Sequence, residues 1–182
     1  MNIISNPENP CPPEILNRQV AIPVSYIDFD DNPRTGTIEI NEAVQGDVGL
    51  FFEVALDLKF PIERVLPAGH PDYRWDDDKL MAGNVSSGFN YRPIAGTDRV
   101  SVHAYGRAFD INPRINPYIR LAGGKTIVAP PEAKWDKSVP GALYAEHPLV
   151  RFMEERGWEW GGRWVLSREG MVDYQHFEKP EE

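Results

Sequence analysis

Two histidines and two aspartates in this 182-residue chain are of the types that catalytic zinc sites use. His103 and Asp110 lie in one segment, and Asp173 and His176 lie near the C-terminus. Two imidazoles and one carboxylate, from His103, Asp110 and His176, would leave the fourth position of a tetrahedral zinc ion open for water. Asp173 could then accept a proton from that water. These residue types therefore predict metal-assisted hydrolysis.

The local sequence favours a ligand role for Asp110. Gly106 permits a tight bend between His103 and Asp110. The alternation in residues 107–112 predicts a strand that directs Phe109 towards the core and Asp110 to the opposite face. A carboxylate on that face needs a cation as a partner, and a metal ion is suitable. The alternative is that each histidine is solvated or has its hydrogen bonds satisfied within a core.

Four sequence motifs surround these residues in a fixed order. They are residues 87–93 (SGFNYRP), 101–113 (SVHAYGRAFDINP), 157–164 (GWEWGGRW) and 173–178 (DYQHFE). Together with 116–118 they resemble the M15 metallopeptidases, which include the VanY-type D-alanyl-D-alanine carboxypeptidases and the L-alanyl-D-glutamate peptidases of phage lysins. The resemblance covers roughly residues 34–178 and implies an α+β fold, with a small antiparallel sheet and flanking helices.

The resemblance also implies a role for the main candidate residues. The zinc ligands would be His103, Asp110 and His176. Asp173 would be the general base, although it stands where many members carry Glu, which shortens its reach to the water. Arg92 would contact the substrate or the developing oxyanion; the alternative for Arg92 is an ion pair with an acidic neighbour.

Three further residues are candidates for contact with the substrate: Ser101, Tyr105 and Trp160. Trp160 lies near two other tryptophans, which could form a hydrophobic slot or a packed lid. Arg107 and Arg114 could hold a substrate carboxylate. The small side chains of Ala104 and Ala108 would leave room for a methyl group of the substrate.

The predicted activity is hydrolysis of a peptide bond beside a D-amino acid in a peptidoglycan stem peptide, with removal of the terminal D-alanine as the first choice. An L-alanyl-D-glutamate endopeptidase is the alternative within the same family. A third hypothesis is a non-catalytic, zinc-stabilised binding module, because the M15 fold also resembles the hedgehog signalling domain. Asp173 argues against this third hypothesis, since a structural zinc site has no use for a spare carboxylate beside a ligand.

Composition and length fit a single enzyme domain, and the resemblance implies a peptide substrate. We expect an irregular N-terminal arm at 1–33 and a zinc peptidase domain at 34–182, in a monomer. The net charge of -9 argues against nucleic acid as a partner. The single cysteine, Cys11, leaves zinc binding to histidine and carboxylate. The sequence shows neither an apolar run that could span a bilayer nor a signal peptide, so a cell-wall substrate would require another delivery route.

Periodicity and turn residues predict the elements around the site. We expect strands at 36–40, 62–66, 85–92, 100–102 and 108–111, and helices after 41, at 75–81 and at 147–156. Asn41 is expected to cap the first helix, which Pro61 would end. The apolar stripe of that helix is Val44, Val48, Phe51, Ala55 and Leu58. The stretch 112–146, rich in Pro and Gly, is expected to be a long loop that builds one wall of the cleft. His70 and His147 are expected to be surface or capping residues.

Overall fold

Short helices and short strands alternate along the chain in this computed structural model, which describes residues 3, 5–94, 96–164 and 170–179. The helices are α1 Pro13–Leu16, α2 Gln45–Asp57, α3 Asp77–Ala82 and α4 Pro148–Glu154. The strands are β1 Gln19–Ile27, β2 Pro33–Asn41, β3 Arg64–Val65, β4 Val85–Ser86, β5 Ala108–Asp110, β6 Tyr118–Ala122, β7 Lys125–Ala129, β8 Glu159–Trp160, β9 Met171–Asp173 and β10 His176–Glu178. Two 3₁₀ turns are Val102–Tyr105 and Gly161–Arg163. Within the described residues, no helix combines the length and the apolar character that crossing a bilayer requires.

The strands of the described residues form four small sheets. β1 and β2 form an antiparallel hairpin, and β3 and β4 form a parallel pair. Two antiparallel sheets of three strands have the orders β5-β10-β8 and β7-β6-β9. This combination of small, mostly antiparallel sheets with short helices confirms the predicted α+β class.

Helix α2 packs against both the β1–β2 hairpin and the sheet that contains β5 and β10. Ile38 and Ile40 are fully buried on one face of β2 and belong to the same hydrophobic cluster as the inner face of α2. The ring of Phe51 on α2 makes edge contacts with Phe109 and Phe177, at centroid distances of 5.1 and 5.7 Å. Aromatic pairs of this kind contribute about 0.5–1.5 kcal/mol each beyond the area they bury. The core therefore fixes the inner faces of β5 and β10, and their opposite faces carry polar side chains.

The first predicted strand and helix are present, with corrections at the helix ends. β2 contains the predicted strand 36–40, and the predicted stripe of α2 is buried except for Leu58, which is 45% exposed beyond the end of the helix. Asn41 does not cap α2, because Val44 occupies the N-cap position. The Asn41 side chain accepts instead from the backbone N–H of Ala43, in the turn before the helix.

Three other expectations are wrong in part. The predicted strand 100–102 is reduced to an isolated bridge between Val100 and Pro93, and a 3₁₀ turn begins at Val102. The predicted long loop 112–146 contains the hairpin of β6 and β7. Within the predicted arm 1–33, the segment Gln19–Ile27 is a regular strand paired with β2. The division of the chain into an arm and a catalytic domain remains a prediction.

One buried carboxylate in β2 was not expected from the sequence. Alternation along the strand turns Glu39 to the face opposite Ile38 and Ile40, directly across from Ala21 on β1. Glu39 is only 9% exposed, and within the described residues its carboxylate has no ion-pair partner. Burial therefore raises the pKa of Glu39 to about 7. Ionising Glu39 in the folded protein costs free energy.

We expect the substitution Glu39→Gln to stabilise the protein above pH 7 and to have almost no effect near pH 4. A carboxyl group whose pKa is raised by folding destabilises the folded state progressively as pH rises from about 4.5 to about 7. At one pKa unit per 1.36 kcal/mol, the gain above pH 7 is up to about 3 kcal/mol. Urea unfolding across this pH range measures it, with Glu42→Gln at an exposed position as the control. A gain that does not depend on pH would contradict this account of Glu39.

Candidate functional site

Strand pairing between β5 and β10 brings two of the candidate ligands together. His176 lies directly opposite Asp110, and Phe177 lies opposite Phe109. Opposite residues of an antiparallel pair have Cβ atoms about 4.5–5.5 Å apart, on the same face of the sheet. The two phenylalanines enter the core, so His176 and Asp110 share the other face. Nδ1 of His176 is 3.1 Å from Oδ1 of Asp110, and both residues are buried.

The 3₁₀ turn before β5 brings His103 to the same point. Ser101 caps the turn by accepting a hydrogen bond from the His103 backbone N–H, at 3.3 Å. Gly106 ends the turn in a left-handed conformation, and a Cβ atom there would collide with the Gln19 side chain and the Asn41 backbone. The turn therefore requires glycine at this position. It leaves Nε2 of His103 at 3.3 Å from Oδ2 of Asp110.

Each histidine is oriented through the ring nitrogen that faces away from the cluster. Nδ1 of His103 lies 2.8 Å from the carbonyl oxygen of Gly88, and Nε2 of His176 lies 3.1 Å from Oε2 of Glu178. A carbonyl and a carboxylate oxygen only accept hydrogen bonds, so both of these nitrogens carry a hydrogen. In the neutral rings the inward nitrogens, which are 3.1 Å apart, then present lone pairs to each other. Metal-binding histidines are commonly held in this way.

The cluster of His103, Asp110 and His176 could hold a metal ion. One donor atom from each residue lies within 4.8 Å of the others, and all three residues are buried. Two lone pairs and a carboxylate that converge in a buried position need positive charge between them. The residues therefore fit a cation that accepts nitrogen and oxygen ligands.

The titration of the cluster indicates the same need for positive charge. Burial alone would lower the pKa of His176, but its hydrogen bonds to Asp110 and Glu178 raise it to about 10. Burial opposes ionisation of Asp110 as well, yet the adjacent His103 and His176 hold its pKa well below the usual range. A metal ion that binds here must displace a proton from His176. Metal affinity therefore rises with pH.

Asp173 lies on a different sheet from Asp110 and His176. It ends β9, and a turn of two residues, Tyr174 and Gln175, leads to His176 at the start of β10. Asp173 is half-buried, and its Oδ1 atom is buried without a hydrogen-bond partner among the described residues. Burial raises the pKa of Asp173 to about 7, although the nearby His176 acts in the opposite direction. A carboxylate with an unused acceptor atom and a pKa near neutrality is suited to proton transfer.

Gly161 packs directly against Asp173. A Cβ atom at Gly161 would lie 2.5 Å from the Asp173 carbonyl oxygen and 2.9 Å from its Cβ atom. The turn Gly161–Arg163 therefore supports the backbone of β9 at close range, which a larger residue at position 161 would prevent.

Arg92 lies beside the His103 segment but is engaged by a neighbouring acid. Its carbonyl oxygen accepts a hydrogen bond from the Ser101 backbone N–H at 3.1 Å. Two residues earlier, the Asn90 backbone N–H donates to the His103 carbonyl oxygen, also at 3.1 Å. The guanidinium of Arg92 forms an ion pair with Asp77 at the start of α3, with Nη2 and Oδ2 2.7 Å apart. Nε of Arg92 is buried and has no hydrogen-bond partner among the described residues. The contact of Arg92 with a substrate remains a prediction.

The structure places the predicted substrate residues in different environments. Ser101 is buried as the cap of the 3₁₀ turn, and Tyr105 is 41% exposed at its end. Trp160 is 2% exposed and donates through Nε1 to the Tyr174 carbonyl oxygen, so it is a core residue and not a wall of a peptide slot. Ala104 and Ala108 are fully buried, so they leave no room for a substrate methyl group.

The two arginines expected to hold a substrate carboxylate are oriented towards backbone carbonyls. Nε of Arg107 donates to the Lys179 carbonyl oxygen at 2.9 Å. Nη1 of Arg114 donates to the Ala82 carbonyl oxygen at 3.3 Å. As expected, His70 and His147 act as caps, each accepting from a backbone N–H two residues along the chain.

Comparison with known proteins finds one family model that matches part of the chain. Residues 95–179 match the family model described as D-alanyl-D-alanine carboxypeptidase. Over these residues the chain is similar to the M15 peptidases. The match contains His103, Asp110, Asp173 and His176, and it begins later than the resemblance noted from the sequence motifs. Neither a curated protein nor a solved structure matches the chain. The match supports the predicted resemblance to M15 peptidases, and the described residues include a site that could bind a metal ion.

Glu178 contacts the His176 ring, and this contact was not predicted from the sequence. Residues i and i+2 of a strand share a face, so the DYQHFE motif contained the signal that Glu178 lies beside His176. We expect Glu178→Gln to weaken zinc binding by about 10- to 100-fold, because it removes the charge that orients and polarises the His176 ring. Competition with a chromophoric chelator measures the affinity.

A matched control for Glu178 exists on the neighbouring strand. Glu159 on β8 lies directly across from Glu178 and is exposed. Glu159→Gln removes the same charge from the same sheet and should leave zinc affinity unchanged. Equal affinities of the wild type and the Glu178→Gln variant would show that Glu178 does not support the metal site.

Proposed function

We propose that the protein is a zinc-dependent peptidase that hydrolyses a peptide bond next to a D-amino acid in peptidoglycan stem peptides, as a D-alanyl-D-alanine carboxypeptidase. One observation carries the proposal: Asp173 has a buried oxygen without a hydrogen-bond partner among the described residues, and its carboxylate interacts electrostatically with the cluster of His103, Asp110 and His176. A binding module would need the cluster alone. The description of the matching family supports the choice of bond.

Zinc fits the donor atoms of the site. The ion would be held by Nε2 of His103, Nδ1 of His176 and the carboxylate of Asp110, which is a ligand set of catalytic zinc enzymes. When bound, zinc supplies Lewis acidity, which lowers the pKa of a water molecule from ~15.7 to roughly 7 and polarises the scissile carbonyl group. Gly88 and Glu178 keep the two rings in the tautomers that present lone pairs to the ion.

Asp173 carries the proton transfers of the proposed mechanism. Its Oδ1 atom, which has no partner among the described residues, takes the proton from the attacking water. The protonated carboxyl group then delivers that proton to the amine of the leaving residue. Gly161, packed against its backbone, helps to hold Asp173 in place. Arg92 is the candidate for contact with the substrate carbonyl oxygen, and substrate would then compete with or share its ion pair to Asp77.

Defined peptides test the proposed function. We expect the zinc-loaded protein to release alanine from a stem pentapeptide ending in D-Ala-D-Ala and to leave the all-L counterpart intact, with products identified by mass spectrometry. A peptide whose only D-bond is L-Ala-D-Glu separates the two peptidase activities of the family. Cleavage of that bond alone would replace the carboxypeptidase by an endopeptidase, and equal hydrolysis of the all-L peptide would contradict both.

A further inference from the structure

The sheet that carries Asp173 extends away from the metal cluster as one wall. In the order β7-β6-β9, Asp173 lies directly across from Tyr118, which in turn lies across from Ala129. Side chains that are directly opposite in antiparallel strands lie on the same face of a sheet. The side chains of Asp173, the proposed base, and Tyr118 therefore lie on the same face of the sheet. We call such a set of directly opposite residues on one face a row.

The next row on that face contains a cation. Arg120 on β6 lies across from Met171 on β9 and from Ile127 on β7. The hydroxyl of Tyr118 is 3.9 Å from the sulfur of Met171, so the two rows face the same side. Successive rows on one face are about 6.6–6.8 Å apart. The Arg120 side chain therefore leaves the sheet one row away from the Asp173 side chain, on the same face.

Arg120 is available to an external anion. It is exposed, and within the part of the chain that the structure describes its guanidinium takes part in no ion pair. The pKa of Tyr118 is raised, mainly by burial. Arg120 acts to lower that pKa and Asp173 acts to raise it, so both charges interact with the Tyr118 hydroxyl. The phenol of Tyr118 is therefore near both Asp173 and Arg120. Arg107 and Arg114, which the sequence suggested as partners of a substrate carboxylate, donate hydrogen bonds to backbone carbonyls.

The geometry points to Arg120, together with Tyr118, as a binding site for a carboxylate that the peptide substrate carries one residue from the scissile bond. A free α-carboxylate at the C-terminus is roughly 3.8 Å, or one residue, from that bond, and the long Arg120 side chain spans the remaining distance. A guanidinium binds a carboxylate through two parallel hydrogen bonds, which gives orientation as well as affinity. This inference rests on the proposed function and adds which residues of this chain would bind the terminal carboxylate of the substrate.

The test compares two peptides that differ only at the C-terminus. One ends in D-Ala-D-Ala with a free carboxylate, and the other carries the C-terminal amide. For the acid, we expect Arg120→Gln to raise KM by about 10- to 100-fold, the range for losing hydrogen bonds to a charged group, with kcat changed less than about threefold. The amide should already be a poor substrate of the wild type, and its KM should not respond to Arg120→Gln.

Two further variants test whether binding depends on the guanidinium group and on its position, or only on a positive charge on this face of the sheet. Arg120→Lys keeps a cation without the planar fork and should restore part of the affinity for the acid. Lys125→Gln removes a charge one row further out on the same face, across from Ala122, and should leave KM for the acid unchanged. An equal effect of Lys125→Gln and Arg120→Gln would show general attraction and overturn the assigned site.

Binding to an inactive protein keeps this test independent of turnover. In the Asp173→Asn background, calorimetry should show tighter binding of the acid than of the amide, and Arg120→Gln should remove the difference. If the wild type hydrolyses neither peptide, the proposed function fails while this binding result still decides the role of Arg120. If the acid is hydrolysed but acid and amide bind equally, the function stands and the Arg120 site is wrong.

Discussion

Replacing Asp173 by Asn should reduce kcat by about 100-fold or more while the protein keeps its zinc. The substitution preserves the size of the side chain but removes the atom that accepts the proton, and losses of this scale are usual for a general base. Zinc should stay bound because Asp173 is not among the three residues whose donor atoms converge. Steady-state hydrolysis of the D-Ala-D-Ala peptide, combined with metal analysis of the same preparation, measures both effects.

The pH dependence of kcat/KM provides a second check on Asp173. Burial raises its pKa to about 7 in the metal-free protein, and the charge of a bound metal ion lowers it again. The wild-type rate should therefore fall as pH decreases through a value at or below 7, because the base becomes protonated. Asp47→Asn, which removes another partly buried carboxylate, is the matched control and should keep turnover. A fully active Asp173→Asn variant, or one that loses zinc, would refute the role of base.

Replacing His103 or His176 by Ala should abolish stable zinc binding and, with it, hydrolysis. Each substitution removes one of three ligands and leaves Asp110 buried without the imidazole that offsets its charge. The loss of activity should be at least about 1,000-fold, since zinc supplies the nucleophile as well as the stabilisation of charge. Zinc should also raise the melting temperature of the wild type in a concentration-dependent manner, but not that of the variants.

His70→Ala is the control for the two ligand variants. His70 lies outside the cluster and accepts a hydrogen bond from the Asp72 backbone N–H in a surface turn. This variant should bind zinc as the wild type does. Full zinc occupancy in both the His103→Ala and His176→Ala variants would refute the ligand assignment, whatever their activity.

Local sequence patterns predicted the regular elements but not every connection between them. Alternation of Ile38 and Ile40 with polar residues was sufficient to locate β2, since one face of the strand is buried and the other is not. The hairpin of β6 and β7 was missed because its strands are short and largely exposed. Gly123 and Gly124, both with positive φ, connect the two strands, and a Gly-Gly pair between two such segments was the available signal.

The ligand types were visible in the sequence, whereas the surrounding contacts depend on strand register. The pairing of His176 with Asp110 joins residues 66 positions apart, which no local pattern specifies. The same is true of Arg120, whose place beside Asp173 follows only from the pairing of β6 with β9. Trp160 was misassigned for the related reason that its sequence neighbours do not show which side of β8 enters the core. Long-range register, and not residue type, limited the sequence prediction.

The proposed base, Asp173, and two of the proposed metal ligands, Asp110 and His176, lie in sheets that differ in how deeply their side chains are buried. Phe109, Phe177 and Trp160 anchor the β5-β10-β8 sheet with at most 2% exposure, whereas Leu121 and Ile127 of the outer hairpin are 52% and 38% exposed. Segments with few buried contacts open locally at a lower free-energy cost than core segments do. The β7-β6-β9 sheet, which carries Asp173, is therefore expected to open at a lower free-energy cost than the sheet that carries Asp110 and His176. We therefore expect mild denaturant to abolish hydrolysis before it releases a metal ion bound by His103, Asp110 and His176.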